Sequence, residues 1–147
     1  MDSPYDNLLM EHIRNARNYR VLERASASAS GASVLCGDGM TVYVRVEGGR
    51  IADAAFQCEC CGVSMASASI MTEAVRGVSA REARIQVKSF VAHVVGEATA
   101  GEVVPDFAQG AVVATVRKYP VRTRCAMLPW LILEAALDGR PETVLVR

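Results

Sequence analysis

Cys58-Glu59-Cys60-Cys61-Gly62-Val63-Ser64-Met65-Ala66-Ser67-Ala68-Ser69-Ile70-Met71-Thr72 is the stretch on which the fold turns. An extended pattern ends in it and a helix begins. Beyond Cys61 the residues are small or apolar, with Gly62 as the only breaker. Ala66, Ile70 and Ala74 recur at i, i+4 and i+8, the spacing of one helical stripe, and Val63, Met71 and Val75 widen it. Cys61 is therefore expected at or just before a helix N-terminus. Such ends carry unpaired N–H groups and a positive dipole, which favour a thiolate over a thiol. A thiolate binds metal or accepts sulfur. One cysteine in such a place reads as packing in a helix–strand seam; two further sites shift the reading toward chemistry.

Upstream, Thr41–Val46 alternates, with Val42, Val44 and Val46 on one face. Glu47-Gly48-Gly49-Arg50 is a hairpin turn, and Ile51–Gln57 is the returning strand. Its alternation is imperfect: Ile51, Asp53, Ala55 and Gln57 share one face, Ala52, Ala54 and Phe56 the other. Before this hairpin, Cys36-Gly37-Asp38-Gly39 is a tight turn whose glycines open backbone conformations closed to other residues. Residues 25–33, Ala-Ser-Ala-Ser-Ala-Ser-Gly-Ala-Ser, read as a flexible connector. A first helix is expected over Asp6–Tyr19, with His12 at the edge of its face.

Downstream, the helix over 63–76 ends at Gly77. Ser79 and Glu82 have capping-box spacing and start a helix to about Val95, with a break conceivable near Ser89. His93 is read as a helix-face residue. Residues 96–106 read as a loop or lid and 107–117 as a short helix ended by Lys118-Tyr119-Pro120. Val121–Arg124 reads as extended. Cys125 opens the last helix, Ala126–Leu137, with Pro129 in its first turn. Residues 141–147 form a tail with one strand over Thr143–Val146.

The chain has 147 residues, the size of one domain, and 1–147 is read as such. Hydrophobic residues make up 51% and charged residues 22%, which suits a globular core. Lys plus Arg and Asp plus Glu are 16 each, without blocks of one sign, which argues against nucleic acid or membrane surfaces as partners. No apolar run nears the roughly 18–20 residues that span a bilayer. Met1-Asp2-Ser3-Pro4 lacks the features of a secretory signal, so a cytoplasmic address is expected. There, five cysteines read as metal ligands or reactive thiols rather than a disulfide framework.

Cys36 and Asp38 on a Gly-flanked turn, with Cys61 and Cys125 at helix starts, offer three sulfurs and one carboxylate. That set suits tetrahedral Zn²⁺. The ligands are widely separated in sequence, so no finger spacing supports the assignment.

At these residues the chain resembles a known family. Cys36-Gly37-Asp38, the run from Cys61 to Thr72, Lys118-Tyr119-Pro120 and Arg124-Cys125-Ala126-Met127-Leu128-Pro129-Trp130 are similar to the U-type iron–sulfur cluster assembly family, nearest its SufU branch. The resemblance covers roughly Tyr5–Leu137. It implies an α+β fold, a small antiparallel sheet packed on helices with the cysteines at one end. It implies a metal site of Cys36, Asp38, Cys61 and Cys125. IscU-type members carry a histidine where this chain has Arg124, and SufU-type members carry an insertion that residues 96–119 fit. SufU-like members bind zinc and accept persulfide sulfur from a SufS-like, PLP-dependent cysteine desulfurase. Cys36 is then the sulfur acceptor. Its glycines and the flexible segment before it let it leave the metal most cheaply, and in the resemblance a desulfurase histidine takes its place on zinc. The alternatives are a scaffold holding [2Fe–2S] on the same ligands, a thiol redox protein using Cys58, Cys60 and Cys61, and a zinc-stabilised interaction module. Three features depart from the family pattern: Asn15-Ala16-Arg17-Asn18 replaces Asn-Pro-Arg-Asn, Ser33-Val34-Leu35 stands where an Asn-Pro pair is expected, and Cys58 and Cys60 stand where glycines are expected, as surplus ligands or as partners for a neighbouring thiol under oxidation.

Overall fold

The hairpin at 41–57 is the centre of the sheet. The structure is a computed structural model, described over residues 4–33, 37–96, 106–140 and 144–146, with backbone alone at Asp38 and 144–146. Strands β2 (Asp38–Glu47) and β3 (Arg50–Glu59) pair antiparallel. Gly48 and Gly49 join them with φ of +59° and +76°, the double left-handed geometry of a tight hairpin turn. Val42 faces Phe56 and Val44 faces Ala54 across the ladder, all fully buried. The imperfect alternation of β3 has a physical cause. Arg45 pairs with Asp53 but Val46 pairs with Ile51, so Ala52 is an extra residue in a bulge. The bulge returns Ile51 to the buried face.

Residues 25–33 are not a flexible connector. Ala27–Ser33 forms β1, antiparallel to β2, with Ala29 opposite Val42 and Gly31 opposite Met40. Ala29, Gly31 and Ser33 point inward and are buried. Their small side chains let a helix lie close on the sheet. Tertiary packing here overrides low strand propensity. A short β4 (Val144–Val146) pairs parallel to β1, giving the order β3-β2-β1-β4.

The helices cover the inner face of the sheet, as the α+β reading expects. Helix α1 is Pro4–Arg14, shorter than predicted. Helix α2 (Gly62–Val75) follows β3 at once, with Cys61 as its extended N-cap and Gly77 just past its end at φ +86°. Ser79 caps α3 (Ala80–Val95) by accepting from the Glu82 N–H at 3.0 Å, and α3 runs through Ser89 unbroken to a left-handed Gly96. Asp106 caps α4 (Phe107–Lys118), which occupies most of the described part of the insertion. Residues 121–124 are not extended: a 3₁₀ turn, Pro120–Arg122, leads straight into α5 (Thr123–Leu137). Cys125 therefore lies inside the first turn of α5, and Pro129 in its second turn. Phe90 of α3 stacks on Trp130 of α5 with ring centres 4.5 Å apart. Such a pair adds about 0.5–1.5 kcal/mol beyond the area it buries. Among the described residues no helix is long and apolar enough to cross a membrane.

Candidate metal centre

A proline inside a helix cannot donate to the carbonyl four residues back. Pro129 thus leaves the Cys125 carbonyl without its helical donor. Ser64 of α2 supplies one: its hydroxyl donates to Cys125 O at 3.0 Å, with both residues fully buried. One turn on, the Ser67 hydroxyl donates to Ala126 O at 2.7 Å and accepts from Trp130 Nε1 at 3.1 Å. The serines of α2 and the block from Cys125 to Trp130 thus form one polar seam between two otherwise apolar helices. On the other side of α2, Ser69 Oγ accepts from the Arg17 N–H at 2.8 Å and contacts His12 Nδ1 at 2.7 Å, while Asn18 Nδ2 donates to Thr72 Oγ1 at 3.0 Å.

The seam brings two of the four predicted ligands together. Cys61 Sγ lies 3.7 Å from the Ser64 hydroxyl that holds the backbone of Cys125. The Cys61 side chain is not used as the cap of α2. Both cysteines therefore stand at the starts of two helices that meet at the same end of the sheet. The third strand end arrives there too, because Gly39, next to Asp38, pairs with Glu59, two residues before Cys61. Gly37, at φ +67°, donates its N–H to Ser33 O at 3.0 Å and closes the β1–β2 connection. Cys36 and the Asp38 side chain lie outside the described residues. Among the described residues no three His, Cys, Asp or Glu side chains group as a metal site. The two described donors, sulfurs at helix starts, are of a type that suits zinc. Arg124 sets a permanent positive charge on the residue before Cys125. Its Nε is buried with no hydrogen-bond partner among the described residues.

Cys58 and Cys60 are bridged by a disulfide, with Cα atoms 5.5 Å apart. This corrects the reading of all five cysteines as thiols or ligands. Cys60 lies just past the end of β3, and there the two Cα atoms come within disulfide reach. The cysteines that replace glycines need no left-handed backbone. Among the described residues, Asn18 is the non-glycine with positive φ, at 62°.

His12 is buried, not at a face edge. Burial lowers its pKa from the ordinary 6.5, and the charge of Arg17 adds to this against Glu73 and Glu11. Its partner Ser69 lies far away in sequence, so the helical pattern of α1 gave no sign of it. Ser64 and Ser67 were also missed as site residues. Their signal was present: hydroxyls at i and i+3 on one side of a helix otherwise built mostly of small and apolar residues.

The match to known proteins follows this geometry. Residues 4–126 match the family model described as NifU-like N terminal domain. The chain is 33% identical over 134 residues to the zinc-dependent sulfurtransferase SufU of Bacillus subtilis (strain 168), covering 91% of this chain and 89% of that one. It is 28% identical over 138 residues to the iron–sulfur cluster assembly scaffold protein IscU of Thermotoga maritima, covering 90% and 92%. The crystal structure of a putative iron–sulfur cluster assembly scaffold protein for the SUF system from Fervidobacterium islandicum superposes with a TM-score of 0.77 at 28% identity, over 92% of this chain and 96% of that one. The interlocked α2 and α5, the sheet beneath them and the extent of these matches lead to one conclusion: the chain belongs to the NifU-like N-terminal domain family.

Proposed function

We propose that this protein is a zinc-dependent sulfur-transfer protein of iron–sulfur cluster assembly, taking persulfide sulfur from a PLP-dependent, SufS-like cysteine desulfurase in the cytoplasm. The observation that carries the reading is the meeting of Cys61 and Cys125 at two helix starts fastened through Ser64. Cys36, Asp38, Cys61 and Cys125 would hold the metal. Zinc bound there supplies a Lewis-acidic point that keeps sulfur ligands as thiolates near neutral pH. Cys61 and Cys125 are the anchored pair, since displacing either disturbs the polar seam. Cys36, next to Gly37 in sequence, is the acceptor. Its thiolate attacks the terminal sulfur of the desulfurase persulfide, the desulfurase cysteine leaves as thiolate, and Cys36 carries the sulfur. Residues 27–33 are strand β1, so no flexible lead-in to Cys36 is part of this mechanism. Arg124, at the position where IscU-type members carry histidine, supports the reading over a [2Fe–2S] scaffold on the same ligands.

The test is desulfurase turnover with and without this protein. Wild type should stimulate it, and Cys36→Ser should keep the fold but abolish the stimulation. Persulfide found by mass spectrometry on Cys125 and never on Cys36 would overturn the acceptor assignment. Stable [2Fe–2S] absorption after anaerobic reconstitution, with no stimulation, would favour the scaffold.

A further inference from the structure

The Cys58–Cys60 pair is used nowhere in that scheme, yet it sits beside it. Cys60 directly precedes Cys61, and Glu59 between the pair is laddered to Gly39, next to Asp38. The two cysteines differ in how they are held. Cys58 is fixed in β3 opposite Met40, and the Tyr19 hydroxyl holds its backbone, donating to Cys58 O at 2.8 Å and accepting from Cys58 N–H at 3.4 Å. Cys60 lies beyond the last ladder pair, in the short link to α2. Both are partly exposed. A surface cleft of about 400 Å³, lined by Tyr19, Met40, Thr41, Gln57, Cys58 and Glu59 among others, opens beside Cys58.

We propose that Cys58 and Cys60 form a resident dithiol/disulfide couple that reduces persulfide sulfur to sulfide. The proposal rests on the persulfide chemistry of the reading above but not on which residue accepts sulfur first. Persulfide sulfur is two electrons short of sulfide, and a dithiol that closes to a disulfide supplies two. In the dithiol form, the Cys60 thiolate attacks the terminal sulfur of a persulfide R–S–SH. The bond between the two persulfide sulfurs breaks, R–S⁻ leaves, and Cys60 becomes Cys60–S–SH. The Cys58 thiolate then attacks the inner sulfur of Cys60 and expels HS⁻, leaving the Cys58–Cys60 disulfide of this structure. One persulfide and two thiolates give one thiolate, one hydrosulfide and one disulfide. A low-molecular-weight thiol or a reduced dithiol protein returns the pair to the dithiol. The freer Cys60 suits the first attack, because it must reach the incoming sulfur. The held Cys58 suits the second, because its target is then already on its neighbour.

The experiment uses the zinc-loaded full chain, reduced and desalted without oxygen, then mixed with glutathione persulfide. Wild type should release about one sulfide per chain in a single turnover, roughly tenfold faster than Cys58→Ser/Cys60→Ser, and peptide mapping should show the 58–60 bridge. Cys58→Ser should stop with one added sulfur atom on the Cys60 peptide. Sulfide release with the 58–60 bridge formed, but with no desulfurase stimulation by wild type, would sink the transfer reading and leave the couple standing. Wild-type sulfide release without a 58–60 bridge, or with the bridge ending on Cys61, would overturn the couple. So would equal release by the double variant. The mapping on wild type decides the matter even if the double variant does not fold.

Discussion

Replacing Ser64 with alanine removes the hydroxyl that donates to the Cys125 carbonyl at 3.0 Å. Residue 129 is proline, so the N–H that a regular helix would aim at this carbonyl is missing, and Ser64 and Cys125 are both 0% exposed. Removing a donor from a buried carbonyl costs about 1–3 kcal/mol. Taking about 2 kcal/mol, the melting temperature of a chain of this size falls by roughly 4–8 °C. The reasoning makes a sharper demand than destabilisation alone. In a Pro129→Ala background, residue 129 regains an N–H that reaches the same carbonyl. Ser64→Ala should then cost about 1 kcal/mol or less, a coupling of about 1–2 kcal/mol between residues on different helices. Urea unfolding of the four proteins at one fixed zinc concentration measures it, because bound metal raises apparent stability. An equal cost of Ser64→Ala in both backgrounds would refute the seam as the reason Pro129 is tolerated.

Two further outcomes follow from the fold. The lowered pKa of His12, caused first by burial and then by the Arg17 charge, means the unfolded chain binds that proton more readily. Stability from neutral His12 is fully present above about pH 6.5 and is lost as pH falls from there through the folded pKa. With chelator present throughout, the urea midpoint should drop on acidification through this window, and His12→Gln should flatten the drop; an equal slope in the variant would exclude His12. At the hairpin, Gly49→Ala should cost about 1 kcal/mol by thermal unfolding, purely from backbone strain at φ +76°, since the space around an added Cβ is open. Gly48→Asn should cost less than half as much, because asparagine tolerates this region; equal costs would count against the turn geometry.

The α2 start was legible because Gly62 and an apolar 3.6-residue period mark it without help from distant residues. The β2–β3 hairpin was legible because two glycines at its turn and alternating valines say the same thing. Strand β1 was hidden by its composition. Alanine and serine have little strand propensity and look like a linker, although Ala-Ser-Ala-Ser-Ala-Ser alternates at the strand period of two, as its burial does. The start of α5 was hidden because Pro120 followed by Val121 suggests extended chain, whereas the proline begins a 3₁₀ turn that runs into the helix. Of the candidate site, the placement of Cys61 and Cys125 at helix starts was legible from the apolar periods that follow them. What joins Cys61 to Cys125 was not, since hydroxyls donating to carbonyls on another helix leave no local pattern. The bridge between Cys58 and Cys60 was open to reading from its i, i+2 spacing, but a thiol pair and a disulfide have the same sequence.

Zinc content per chain tests the central claim most directly. Protein prepared without chelator should carry about one zinc, as expected of a tetrahedral site. Cys61→Ala and Cys125→Ala should each lose it, while Cys58→Ser/Cys60→Ser should keep it, because that pair stands outside the ligand set. Elemental analysis reads all four proteins side by side. Wild type without zinc, or full zinc retained in both Cys61→Ala and Cys125→Ala, would contradict the account.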